Sequence, residues 1–428
     1  MAFLTTFLHC EQVNGKEIKK EHIDAFQDSI KNFNQRFPEE KMLRGFKIEN
    51  DDYSEILNVV ANLSEVTDNA TNLYKESKIP MAFVPKIVNR KPFDVWSAFI
   101  SMPEVGIKMS FGNKDELEIE IPIIKDNDNA VVLDIYPFFL LAHLKHLELL
   151  KYFKKIYVHQ SIIDNLTETI EDLKISSNNG LKLLGSINGK PAINEISAEK
   201  IKETLEFISE IKKFLIESDN VEICGLTKES VDINKDFLKN LDSSTGNSVL
   251  LSQELKVPFL CDDRILKATL IQENGMQIFS SQNFFRVACE RGLLSLESMY
   301  DIQREMIDLN YSYLFTDAVF IFYELKRNSY NAKGIQKIIS VLAQKETTLQ
   351  SLGSVLANLF LLIIRDELID IKIRLRAFIA ILKEVGKNHD LAELEEIVFI
   401  NLQQHIDPRR KDEARKIIVS VFSDALKP

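Results

Sequence analysis

Two short apolar runs constrain this chain more than anything else in it. Val131-Val132-Leu133-Asp134-Ile135-Tyr136 carries one carboxylate at its end, and Val257-Pro258-Phe259-Leu260-Cys261-Asp262-Asp263-Arg264 carries two. Short apolar runs of this kind read as buried strands. In an open α/β sheet, ligands and metals gather outside the carboxyl ends of the strands. Two parallel strands that each deliver Asp there aim several carboxylates at one spot. An oxygen-rich site of that sort suits Mg²⁺ or Mn²⁺. Taken singly, each Asp has an ordinary reading as a turn residue. The two patterns together favour a site.

Around these runs the hydrophobic period switches repeatedly. Ile156-Tyr157-Val158, Val221-Glu222-Ile223-Cys224 and Met276-Gln277-Ile278-Phe279 read as further strands. Helices open near Pro137, Ser161, Ser197, Ser243-Ser244-Thr245-Gly246 and Arg264. Alternation of this kind implies a parallel sheet. It predicts an α/β domain of three layers over residues 130–284, with the Asp134 strand beside the Asp263 strand. Asn188-Gly189 is a strong two-residue turn signal. It predicts a hairpin insertion at 181–196 that projects from the core.

The flanks read differently. Residues 1–128 form a mainly helical region with a few strands. Ile18, His22, Ile23, Phe26 and Ile30 recur at helical spacing, as do Ile56, Leu57, Val60 and Leu63, and Pro38 with Asn50-Asp51-Asp52 separates the two. His22 beside this stripe reads as structural. Phe93, Trp96, Phe99 and Ile100 make an aromatic stripe of the core type. Val105–Phe111 reads as a strand, and Leu117–Ile124 alternates weakly as another. Residues 285–428 form an all-helical region. Its surface, with that of the first flank, gives helical arms for a protein partner. The abrupt apolar opening at Phe3 suggests a chain cut from a longer architecture.

Bulk properties exclude several classes. The formal charge of −11 argues against non-specific coating of nucleic acid, which needs a basic surface; a local basic groove stays open. Cys10, Cys224, Cys261 and Cys289 form no Cys-x-x-Cys pair, so zinc and a disulfide framework are disfavoured and a reducing cytoplasm fits. The most apolar run, Val355–Ile364, is interrupted by Asn358 and is shorter than the roughly 20 residues of a membrane helix, so no membrane partner is expected. Phosphate-loop, dinucleotide-binding and nucleophile-elbow motifs are missing. His143 and His146 stand at i, i+3, but the Glu of a hydrolytic zinc motif is absent, and a structural role is the simpler reading.

Residues 130–284 resemble the PIN-domain family of metal-dependent nucleases. The resemblance rests on Val-Val-Leu-Asp-Ile at 131–135, Ile-Tyr-Val-His-Gln-Ser-Ile-Ile-Asp-Asn-Leu at 156–166, and Gln-Glu-Leu-Lys-Val-Pro-Phe-Leu-Cys-Asp-Asp-Arg-Ile-Leu at 253–266. It implies acids at strand ends that bind Mg²⁺ or Mn²⁺ and activate water for cleavage of RNA. Asp134 matches the first acid and Asp263 the last, with Asp262 beside it. These three are the implied metal ligands, and Asp164 joins them as the fourth candidate catalytic residue. Bacterial relatives often serve as toxins or in defence. Two departures matter. The second acid falls on Asn165, one residue after Asp164. The third falls among Thr245, Gly246 and Asn247, with Asp242 just upstream. Two readings follow: an active endoribonuclease, or a PIN-like scaffold that recognises a partner.

Overall fold

The computed structural model describes residues 20–36, 54–110, 112–177, 180–187, 190–225, 235–345, 347–406 and 411–427. Ile18, Pro38, Asn50-Asp51-Asp52 and the Asn188-Gly189 turn lie outside the described residues. The strands, in chain order, are β1 Ile107–Lys108, β2 Ala130–Leu133, β3 Lys155–His159, β4 Leu181–Ile187, β5 Lys190–Ile196, β6 Val221–Cys224, β7 Phe259–Leu260, β8 Ile278–Phe279 and β9 Tyr311–Ser312.

Five of them form a parallel sheet in the order β6-β3-β2-β7-β8. Val131, Val132 and Leu133 of β2 are fully buried, as a central parallel strand must be when both faces are covered. From β2 the chain moves outward to β3 and β6. It then returns to β7 on the other side of β2, where Leu133 pairs with Leu260. The β2–β7 junction is therefore the point at which the strand order reverses, the usual place for a ligand crevice. The α/β expectation holds, with helical regions on both flanks.

Helix starts follow from capping. Asp134, His159, Ser197, Asp242 and Asp263 each accept a backbone N–H from the first turn of the helix that follows. Such caps satisfy amides that have no partner within the helix. The helix Ile135–His143 is buried from Ile135 to Ala142 rather than along one stripe, with the helices Pro92–Ser101 and Ala198–Glu217 packed against it. The aromatic stripe does belong to the core: Phe93 and Trp96 pack on Phe139 and Phe207, and Trp96 Nε1 donates to the Tyr311 hydroxyl at 2.9 Å.

Two expected strands come out differently. Val105–Phe111 narrows to β1, two residues long. Leu117–Ile124 is not a strand but part of the helix Lys114–Asp126, capped by Asn113. Its buried positions are Glu120 and Ile124, four apart, with Glu116 one turn earlier on the same side. The face turned inward is thus largely acidic, so hydrophobic periodicity misreports it.

β4 and β5 form a separate two-stranded antiparallel sheet with Leu181 opposite Ile196. This sheet lies against the helix Ser54–Lys75. A third pairing joins the flanks, since β1 runs parallel to β9; the region after 284 is therefore not all-helical, because Tyr311–Ser312 is held as a strand by its bonds to β1. Gly106 leads into β1 at φ +58°, and a Cβ there would collide with the carbonyl oxygen of Asn310. Gly106→Ala should therefore lower stability by more than about 1 kcal/mol, measured by urea unfolding. The helices after residue 312 stack in pairs. Leu349–Arg365 packs on Leu391–Gln403, and Ile371–Val385 on Lys411–Leu426.

Candidate functional site

Three aspartates meet at the switch point. Asp134 follows β2, Asp263 follows β7, and Asp242 precedes the helix Ser243–Leu255. Each caps a helix, so three helix N-termini point at one cluster of carboxylates. Their partial positive charge favours anions there. Asp134 Oδ1 accepts the Ile135 amide at 2.8 Å and the Thr245 hydroxyl at 2.7 Å, and its Oδ2 faces Cys261 Sγ at 3.9 Å. Asp263 Oδ1 accepts the Ile265 and Leu266 amides at 3.1 and 3.2 Å. Asp242 Oδ1 accepts the Ser244 and Thr245 amides, both at 3.0 Å. Among the described residues Asp242 Oδ2 and the Tyr136 hydroxyl make no well-formed hydrogen bond, although the hydroxyl stands close enough to Asp242 to favour its charged form.

Burial dominates the electrostatics. It drives the Asp134 carboxyl well above the usual carboxylate range, with the Asp242 charge adding to it and the Thr245 and Ile135 donors opposing. Burial also raises Asp242 and Asp263 to about 6 against their capping hydrogen bonds. The thiol of Cys261 is pushed up by burial and by Asp134 and Asp263.

The chain itself closes this crevice. The short turn Met81–Phe83 sits over it, with Met81 and Ala82 fully buried. The Ala82 N–H donates to Asp263 Oδ2 at 3.2 Å, and the Ala82 carbonyl accepts the Asp242 N–H at 2.8 Å. Ala82 thus holds the Asp263 carboxylate through its N–H and the backbone N–H of Asp242 through its carbonyl. Beside it opens a cavity of about 680 Å³. Asn165, Asp242 and Asn247 line it on one side, with Lys86, Arg90 and Lys91 on the other.

Of the four carboxylates expected in the site, the structure brings Asp134 and Asp263 together. Asp262 points to the opposite side of its strand. Its two oxygens accept the Ser281 amide and hydroxyl at 2.8 and 2.7 Å. Asp164 is exposed and, among the described residues, accepts from Gln160 alone, at 2.9 Å, while its neighbour Asn165 faces the cavity. The 100° turn per helical residue separates the two. His143 packs edge-on against Trp96 and Phe207, a structural place.

Residues 132–269, about a third of the chain, match a family model described as a PIN domain associated with the TPR-GreAB-C-PIN system. This segment is a PIN domain. The flanking regions are not matched by that model. No curated protein and no solved structure matches the chain.

PIN domains generally use divalent metals. The residues present do not fit one as they stand. Asp134 and Asp263 are 0% and 2% exposed, and the Ala82 N–H sits on Asp263 Oδ2, so a hydrated cation has no open approach to them in this conformation. Among the described residues no group of three His, Cys, Asp or Glu is arranged to hold a metal ion. Hard divalent cations need several free oxygens at close range.

Sequence reasoning missed Asp242 as a member of the cluster. Its signal was the Asp-Ser-Ser-Thr run before a helical segment, an N-cap pattern that places the side chain back over the helix start.

Proposed function

We propose that this PIN domain is a recognition scaffold and not a working nuclease. The observation that carries the reading is the buried Met81–Phe83 turn, whose Ala82 N–H donates to the Asp263 carboxylate and whose Ala82 carbonyl accepts the Asp242 backbone N–H. A substrate phosphate and a hydrated cation would need that space. Asn165 and Asn247, in place of carboxylates, lower the charge available to a hard cation. Helix N-termini do for the remaining acids part of what a cation would do. The helical arms supply surface for a protein partner. The competing reading is a Mg²⁺- or Mn²⁺-dependent endoribonuclease with Asp134 and Asp263 as ligands; nothing in the hydrogen bonding of those two favours it.

The test is a set of melting curves with and without Mn²⁺, for wild type, Asp134→Asn and Asn165→Asp, run beside an RNA cleavage assay. A cation that binds the folded state raises its melting temperature by mass action. The scaffold reading expects no Mn²⁺-induced rise in wild type or Asp134→Asn, and no cleavage. Asn165→Asp adds a carboxylate at the cavity wall beside Asp242, and a rise confined to that variant would mark the missing charge as what disables the site. A rise in wild type that vanishes in Asp134→Asn, together with cleavage lost by the same change, would make the domain an enzyme.

A further inference from the structure

We propose that the groove between the helices Ile371–Val385 and Lys411–Leu426 binds an acidic amphipathic helix of a partner protein. The two helices pack along each other and leave a surface trough of about 480 Å³. Leu375 and Ile379, one turn apart, form one wall, and Ile417 on the second helix forms the other. Ile417 is 37% exposed, so the trough offers apolar surface to solvent. Its rim is basic: Lys372 and Arg376 stand above the first wall, and Lys416 above the second.

Among the described residues none of these three cations makes an ion pair. The one carboxylate at the trough, Asp424, is taken by Lys427 at 2.6 Å. Lys372 and Arg376 stand at i, i+4 on one helix, where like charges repel. An anionic partner would relieve that repulsion. The patch is opposite in sign to the chain as a whole, which carries a formal charge of −11. An apolar trough with a cationic rim recognises a helix with apolar residues at i, i+3, i+4 and i+7 and carboxylates on either side. Its lining runs from Lys372 to Ile379 on one helix and from Lys416 to Asp424 on the other, so at about 1.5 Å per residue the groove is roughly two helical turns long. The proposal is independent of the state of the acid cluster.

The experiment uses the whole chain and a fluorescent synthetic peptide of about 16 residues, with Leu at helical spacing and Glu elsewhere. A second peptide carries Lys in place of every Glu. Anisotropy at low salt should show binding of the acidic peptide and not of the basic one. Arg376→Glu with Lys416→Glu should weaken that binding by roughly tenfold or more, since paired charges across an interface set specificity and on-rate. Ile417→Ser should weaken it too, and added salt likewise, with the melting temperature of each variant unchanged. Absence of acidic-peptide binding, equal binding of both peptides, or indifference to the charge reversal would overturn the proposal. Sedimentation covers the other occupant: self-association abolished by the same charge reversal would mean a second copy fills the groove, and that too would overturn it.

Discussion

Replacing Lys267 by Met should destabilise the protein by roughly 3–5 kcal/mol, the range seen when one partner of a buried ion pair is removed. Lys267 is 1% exposed, on the helix Arg264–Asn274 that Asp263 caps. Its ammonium contacts both Glu116 and Glu120 of the helix Lys114–Asp126. Burial alone would lower its pKa, but the two carboxylates outweigh that and raise it. Glu120 also accepts the Ser280 amide and hydroxyl, both at 2.8 Å, and the Asn283 side chain at 2.7 Å. The cluster therefore fastens a helix that precedes the PIN segment to two helices that follow β7 and β8. Methionine fills similar volume, so little cavity forms. What remains is Glu116 and Glu120 facing each other without a cation, which costs far more than a surface pair. Urea unfolding of wild type and Lys267→Met at neutral pH measures the loss. Lys267→Met with Glu120→Gln should recover part of it, since Gln removes one stranded charge and still accepts a hydrogen bond. A loss below about 1 kcal/mol would mean the cluster is solvated and its charges are screened.

The same cluster explains where the sequence was silent. Strand ends and most helix starts were legible because they are local: an apolar run, a cap, a turn residue. Leu117–Ile124 was not, because its inward face carries Glu116 and Glu120, and their partner Lys267 is some 150 residues away. Asp262 and Asp263 were both legible as strand-end acids. Which one faces the switch point depends on the pleat, since adjacent residues point to opposite faces. The seal was illegible for a third reason. Ala82 has no side-chain chemistry to betray it; it acts through its peptide, on an acid 181 residues downstream. Backbone groups leave no trace in composition.

That seal also bears on how the fold treats its crevice. An open α/β sheet exposes strand ends where its order reverses, and a vacant crevice there would leave capped carboxylates in contact with water. Here the preceding region fills it with the buried residue Ala82 and the peptide groups on either side of it. The acids are then held in a dry place, and their protonation becomes part of the stability of the fold.

Stability should consequently rise on mild acidification in a way that Asp262 makes measurable. Burial raises this carboxyl from its ordinary value near 3.8 to about 6, against the hydrogen bonds from Ser281 and the charge of Lys267. A raised value means the folded state keeps a proton that the unfolded chain has lost. The resulting stabilisation is complete below the unfolded value and is lost as pH rises through about 6. Between pH 5 and 7.5 this single group should remove about 1.4 kcal/mol, one unit of titration. Asp242 and Asp263 work in the same sense, being raised to about 6 as well. His143, His146 and His159 work in the opposite sense. Burial lowers each, so they favour the fold above their unfolded value and weaken it as pH falls. A difference experiment cancels them. Asp262→Asn keeps both bonds, since its Oδ1 accepts the Ser281 amide and its Nδ2 donates to the Ser281 hydroxyl. Denaturant unfolding of wild type and Asp262→Asn across pH 4.5 to 8 should give a difference that turns steadily against wild type as pH rises, flattening above about 7. A flat difference, or one that favours wild type at high pH, would show that Asp262 is ionised throughout and that Lys267 outweighs its burial.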